Sequence, residues 1–311
     1  MNNALYYSNH DLDRAGEFRE SSFAEPASSC QEEQVVIPVW NNKFFFKEDG
    51  DGSFEKIPPC LWQQSTQTCF LGLQDGKEIT CVDLSGMELS TVVSELGAVD
   101  VCELREKGTQ LPKKQASLLA FARGIVHWNR THLFCSACGS EATSIQRGHC
   151  RQCKNEDCAR LNFPRVDPAV IVLIEHQPKN GEPLILLNLH QVKDGYRCSL
   201  FSGFMEIGEN FEDTAIREMK EEVDVEVTNL QYVNSQPWPF PSSLMVGLTA
   251  VAESKYFKVD NHEIKEAGWF SASEIQTLVH NKQLTLPANT SITGFLIDAW
   301  LHKKLAHQTV G

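Results

Sequence analysis

The sequence predicts an α+β multidomain protein in three parts. Residues 1–130 alternate short apolar runs with polar turns and close on a helix. Five of the eleven cysteines crowd between positions 135 and 158, in a stretch short of apolar residues. From Asp167 onward, long apolar strands and an acidic helix return. The boundaries read as 1–130, 131–166 and 167–311. A chain of 311 residues suffices for two or three domains with at least one sizeable core.

Composition excludes several classes. The chain carries 41 acidic and 28 basic side chains, a formal net charge of −13. That argues against a broad phosphate-binding surface and leaves room for a local basic pocket. No apolar run is long enough to span a bilayer, so no membrane contact is expected. The opening MNNALYYSNHDLDRAGEFRE lacks a basic segment followed by an apolar one. The closing AHQTVG matches no lipidation or retention signal, and a cytoplasmic location is expected. An odd cysteine count in a long chain argues against a secreted disulfide framework.

In the first part, VVIPVW (35–40) and FFF (44–46) read as strands around Asn41-Asn42. EDGDGS (48–53) is a turn cluster, and CFLGL (69–73) and EITCVDL (78–84) are further strands. KKQASLLAFARGIVHW (113–128) has helical spacing, with Leu118, Leu119, Ala122 and Val126 on one face.

The second part reads FCSACGSEATSIQRGHCRQCKNEDCARLNFPR. Cys135 and Cys138 form a Cys-x-x-Cys knuckle, and tetrahedral zinc suits thiolates brought together by two such turns. The second pair is ambiguous. Cys150 with Cys153 repeats the first spacing and is slightly favoured by spacing alone; Cys153 with Cys158 also fits. Unpaired buried thiols are the alternative, but so polar a segment has little core to bury them in. Four protein ligands would close the site, making it structural.

In the third part, AVIVLIE (169–175) and LILLNL (184–189) are buried strands. Strands follow near LQYVNS (230–235) and LMVGLTAVAE (244–253), and GFLIDAWLHKKLA (294–306) is an amphipathic helix. Between them lies REMKEEVD (217–224). On a helix, Glu218, Glu221 and Glu222 share an arc of about 100°, and Ala215, Ile216, Met219 and Val223 cover the next. Clustered carboxylates repel by roughly 0.2–0.5 kcal/mol per pair, yet they suit a hard divalent cation. A solvated acidic face is the plainer reading of REMKEE alone. Gly203 and Glu209 at fixed distances upstream change the balance. Further on, SQPWPFPSS (235–243) is a proline-stiffened loop with Trp238 and Phe240 at alternate positions. It suits stacking on a base or simple burial equally.

The run from Gly203 resembles the Nudix box, Gly-x5-Glu-x7-Arg-Glu-U-x-Glu-Glu-x-Gly-U with U aliphatic, at every fixed position except Asp224, where the family has glycine. SQPWPFP after that box, a cysteine ribbon and FPRVDPAVIV (163–172) resemble the NADH pyrophosphatase family of Nudix hydrolases. The specific motifs cover roughly 104–301. The resemblance implies a zinc ribbon ahead of a Nudix α/β/α sandwich with a mixed sheet. The implied function is metal-dependent hydrolysis of the NAD(H) diphosphate to AMP and nicotinamide mononucleotide. Removal of NAD caps from RNA 5′ ends and a homodimer are also implied.

By the same resemblance, Glu218 and Glu222 are Mg²⁺ or Mn²⁺ ligands, with two or three ions held. Glu221 is a ligand or carboxylate base, and Glu209 and Arg217 support them. Ser202 offers its backbone carbonyl to metal. Glu263 is a late metal ligand, with Glu266 the neighbouring alternative. Gln236, Pro237, Trp238, Pro239, Phe240, Pro241, Ser242 and Ser243 form the substrate loop, joined by Phe163 and, on weaker matches, Arg105 and Thr293. The family spacing selects Cys135, Cys138, Cys153 and Cys158 for one structural Zn²⁺, leaving Cys150 spare. Asp224 is expected either at positive φ, where aspartate substitutes for glycine at modest cost, or in a locally rebuilt helix exit that leaves the metal site intact. Two rivals are a Nudix hydrolase of ADP-ribose or diadenosine polyphosphates, and a catalytically silent nucleotide-binding regulator.

Overall fold

Alternating apolar strands and one-faced helices build two units in the computed structural model, which describes residues 5–8, 11–19 and 34–308, with side chains to 305. Parts of the terminal stretches read above for targeting signals, residues 1–4, 9–10, 20 and 309–311, lie outside the described residues. One unit comprises Tyr6–Val166 with Trp238–Ser242; the other comprises Met1–Leu5, Asp167–Pro237 and Ser243–Gly311. The chain therefore leaves the C-terminal unit after Pro237, adds five residues to the N-terminal one and returns at Ser243.

The N-terminal unit is built from β1 (Gln34–Trp40), β2 (Lys43–Phe46), α1 (Pro59–Gln63), β3 (Gln67–Gln74), β4 (Lys77–Asp83), α2 (Leu89–Leu96), β5 (Asp100–Glu103), α3 (Leu104–Lys107) and α4 (Lys113–Thr131). Its sheet runs β3-β4-β1-β2-β5, with β1 and β4 parallel. Asn41 and Asn42 turn the β1–β2 hairpin at φ 48° and 66°, the left-handed pair that a two-residue hairpin loop needs. One sheet face buries Ile37, Phe44 and Leu71 against Leu118, Leu119, Ala122 and Val126 of α4. The other buries Val36, Phe45 and Val82 against Leu61, Val92 and Leu96. A three-stranded sheet of β6 (Ala142–Ile145), β7 (Cys150–Cys153) and β8 (Leu161–Asn162) carries Cys150 and Cys153 on β7, while Cys135, Cys138 and Cys158 lie outside its strands.

The C-terminal unit comprises β9 (Asp167–His176), β10 (Leu184–Val192), β11 (Gly195–Ser199), β12 (Phe201–Phe204), α5 (Phe211–Val223), β13 (Val227–Trp238), β14 (Ser243–Ala252), β15 (Ala267–Ser271), α6 (Ala272–His280), β16 (Leu284–Thr285) and α7 (Ile292–Gln308). Its mixed sheet runs β13-β14-β9-β10-β11-β16, with β12 on β9 and β15 on β10. The central strand β9 runs parallel to β14 and antiparallel to β12. Being buried on both faces, β9 reads as a continuous apolar run. Ala215, Met219 and Val223 of α5 pack on one face of the sheet. Ile275 of α6 and Leu296, Ile297 and Trp300 of α7 pack on the other. Ile216, expected on the packed arc of α5, is 47% exposed, because one residue beyond Ala215 turns it about 100° away.

Candidate functional site

Helix α5 starts where its sequence says it should. Asn210 accepts from Asp213 N at 2.8 Å and Asp213 returns the bond to Asn210 N, a capping box that satisfies two free backbone donors. The helix then presents its acidic side to β12. Ser202 and Gly203 of β12 pair with Ile171 and Val170 of the buried β9, so their positions are set by the sheet. A Cβ on Gly203 would coincide with the Glu218 carboxylate. Glycine here serves close approach, since its φ is not left-handed.

Arg217 organises the carboxylates. Its Nε donates to Glu209 at 2.6 Å and its Nη2 to the other Glu209 oxygen at 3.0 Å. Nη1 reaches Glu218 at 2.9 Å and Glu221 at 3.1 Å, and Nη2 also reaches the Phe204 carbonyl at 2.8 Å. With Arg217, Glu206 N and the Thr214 hydroxyl all donating to it, Glu209 is held down to about 2. Glu218 is pushed up, chiefly by burial. Glu221 stays at the surface, its side chain 61% exposed.

Glu222 is the extreme case. It is 7% exposed, and its Oε2 is buried with no hydrogen-bond partner. Burial first, then the charges of Glu218, Glu263 and Asp260, push it up to about 8, opposed by the Ser202 backbone N–H. An orphaned carboxylate oxygen among other carboxylates is costly unless a cation completes it. The donor set is all oxygen, which suits Mg²⁺ or Mn²⁺.

The end of α5 places Glu263. Lys258 N donates to Val223 O at 2.8 Å and Asp260 N to Glu222 O at 3.0 Å, so this segment docks on the last carbonyls of the helix. Asp260 then accepts from Glu263 N and Ile264 N, both at 2.9 Å. Sequence reasoning missed Asp260; an Asx turn in DNHE was the available signal. The neighbouring Glu266 is directed elsewhere, facing the Tyr196 hydroxyl. Asp224 caps α5 at φ 53°, ψ 37°, as expected for the residue in the glycine's place. Val225 N bonds Met219 O at 3.1 Å, closing a Schellman-type end, and Lys220 Nζ lies 2.5 Å from Asp224 Oδ1.

The remaining predicted residues divide between the two units. In the C-terminal one, Gln236 is fully buried: its amide donates to Thr290 O at 2.9 Å and accepts from Ile292 N at 2.8 Å. That amide is occupied by backbone just ahead of Thr293, within the same unit. Pro237 ends this unit's stretch of β13, and Ser243 opens β14. In the N-terminal unit, Trp238 and Phe240 meet edge to face at 5.1 Å, and Tyr7 packs on both at 5.9 and 5.6 Å. Pro239, which lies between them in the chain, is buried, and Pro241 and Ser242 complete the turn. Arg105 lies 5.5 and 5.3 Å over the Trp238 and Phe240 rings. Phe163 is 45% exposed.

The sulfurs of Cys135, Cys138, Cys153 and Cys158 all lie within 4.8 Å of one another. The Cys138–Cys153 and Cys135–Cys158 contacts are 3.4 and 3.8 Å. Cys150 is fully buried on β7, opposite Ile145, and is outside this group. The pairing favoured by spacing alone, Cys150 with Cys153, is therefore not the one the fold gathers. In an antiparallel strand the two residues three apart point to opposite faces. Four converging thiols fit a closed tetrahedral metal site.

Two family models match the chain: NUDIX domain over residues 165–288, and NADH pyrophosphatase-like rudimentary NUDIX domain over 33–128. Relatives include the NAD-capped RNA hydrolase NUDT12 of Macaca fascicularis, 39% identical over 62% of this chain and 43% of that one. The human NUDT12 is 38% identical over the same shares. The NAD-capped RNA hydrolase NudC of Pseudomonas fluorescens is 35% identical over 61% of this chain and 63% of that one. The matched region thus spans less than two thirds of these relatives' length. A NUDIX hydrolase structure from Nitrosomonas europaea is 19% identical, with TM-score 0.36, over 50% of this chain and 98% of that one. Two NUDIX-type domains flanking a four-cysteine cluster place the chain in the NADH pyrophosphatase family of Nudix hydrolases.

Proposed function

We propose that the protein hydrolyses the diphosphate of NAD(H) to AMP and nicotinamide mononucleotide, and removes NAD caps from RNA 5′ ends. The observation that carries this is the buried, unpartnered Glu222 oxygen beside Glu218, over a glycine that leaves no room for a side chain. The names borne by the relatives support the choice of substrate.

Glu218 and Glu222 would hold Mg²⁺ or Mn²⁺, with Glu263 and the Ser202 carbonyl completing the set. A divalent cation there neutralises the diphosphate and acidifies the attacking water. Arg217 keeps the carboxylates converged while no substrate is bound. Glu221, exposed and tethered at one oxygen, accepts the proton released by water. The aromatic turn and Phe163 take the bases, and Arg105 adds a cation at the exposed side of the turn. The four cysteines hold one structural Zn²⁺. A cytoplasmic homodimer completes the reading. No helix among the described residues is long and apolar enough to cross a membrane.

The test is competition between equimolar NADH and ADP-ribose with Mn²⁺, alongside an NAD-capped RNA. Faster turnover of NADH and release of a 5′-monophosphate RNA support the proposal. Preferential turnover of ADP-ribose overturns the substrate assignment.

A further inference from the structure

The aromatic turn is held by a residue that no motif marks. Arg123 lies on α4, in the N-terminal unit, and is 7% exposed. Its Nη1 donates to the Pro239 carbonyl. Its guanidinium carbon sits 4.8 Å from the Phe240 ring centroid. At the next residue, Gly124, an added Cβ would meet the Pro239 ring at 3.7 Å, an ordinary van der Waals contact. Phe240 N bonds Trp238 O at 2.7 Å, which closes the turn tightly over Pro239.

A buried guanidinium is an expensive way to hold a loop. Its Nε has no partner, and no ion pair of Arg123 occurs among the described residues; Glu103 acts on it only through its field. Burial accordingly pulls its pKa down. A methionine would fill the same space between α4 and Phe240 without stranding a donor. What methionine cannot supply is a fixed donor for the Pro239 carbonyl together with a flat cationic face for Phe240. The residue therefore costs stability and fixes geometry.

We infer that Arg123 is a positioning residue for substrate recognition. Through Pro239 and Phe240 it presets Trp238 and Phe240 to receive the planar base of a dinucleotide. The turn and α4 belong to one unit, so the helix itself holds the turn. The inference rests on the proposed NAD(H) diphosphatase reading.

The test uses the full chain with R123M and R123K, each checked for wild-type zinc content and a single cooperative melting transition. Two quantities are read: KM and kcat for NADH with Mn²⁺, and amide hydrogen exchange of the peptide covering 235–243. R123M is expected to raise KM at least tenfold, leave kcat within twofold and speed exchange in that peptide; R123K recovers part of the KM. A folded R123M with wild-type KM and wild-type exchange overturns the inference, while wild-type NADH turnover stands. Absence of NADH turnover in the wild type overturns the functional reading itself. If R123M does not fold, R123K carries the test, and wild-type KM and exchange in it overturn the inference equally.

Discussion

The Cβ that Gly203 lacks would occupy the space of the Glu218 carboxylate. Strand β12 and helix α5 approach so closely that only a glycine lets the acid reach its place. The glycine and the glutamate lie 15 positions apart in the chain, yet they form one device. Gly203→Ala must displace Glu218. Its expected result is a folded protein with weakened Mn²⁺ binding and an activity loss of about 10²-fold, the cost of misplacing a catalytic group by an ångström. Binding is read by Mn²⁺ electron resonance titration. Wild-type affinity in the variant would show that the contact is slack.

The cysteine cluster makes a sharp distinction among neighbours. Cys150→Ser should retain about one zinc per chain, because a closed site needs four ligands and its four are elsewhere. Cys153→Ser and Cys158→Ser should lose it and melt at lower temperature. Metal content by atomic emission decides; zinc loss in Cys150→Ser alone would reverse the ligand assignment.

Asp224 holds a left-handed conformation at the end of α5. Asp224→Gly relieves that conformation and gives up a solvent-screened surface contact with Lys220. Its unfolding free energy should stay within about 1 kcal/mol of wild type. Asp224→Val, branched at Cβ, should lose about 1–2 kcal/mol. Chemical denaturation monitored by circular dichroism separates the two. Equal stability of Val and Gly variants would mean that the helix exit is rebuilt.

His149 makes the N-terminal unit sensitive to acid. Its Nε2 lies 2.6 Å from Phe70 O, and burial, with Arg19, Arg14 and Arg147 nearby, holds it down to about 4. The unfolded histidine titrates near 6.5. Between those values the unfolded chain takes up a proton that the folded chain refuses. Stability from this group is complete above about pH 6.5 and is lost as pH falls towards about 4, at most about 3 kcal/mol. Melting temperatures at pH 7.5 and 5 should diverge in the wild type and converge in His149→Gln. Parallel pH profiles would contradict this.

Legibility followed the range of the interactions. The carboxylates of α5 and the cysteine knuckles are local in sequence, so their spacing carries their chemistry. The long strands β9 and β14 are largely apolar because most of their residues are buried or half-buried, and they too are plain. Short elements such as β11, β12 and β16 have no period to read; pairing to β9, β10 and one another makes them strands. Helices α2 and α6 are shorter than a stable isolated helix and depend on packing. The hydrogen bonds of Gln236 and Arg123 join residues 54 to 116 positions apart, to which local spacing is blind. The sequence leaves the aromatic turn equally suited to stacking and to burial; the fold beds it on Tyr7 and Arg123.

The most direct test of the account is product analysis of NADH turnover with Mn²⁺, run on the wild type and on Glu222→Gln. The account predicts AMP and reduced nicotinamide mononucleotide from the wild type. It predicts a loss of at least about 10²-fold in the variant, which still folds and binds zinc. Free nicotinamide with ADP-ribose as the products, or undiminished turnover by Glu222→Gln, would contradict it.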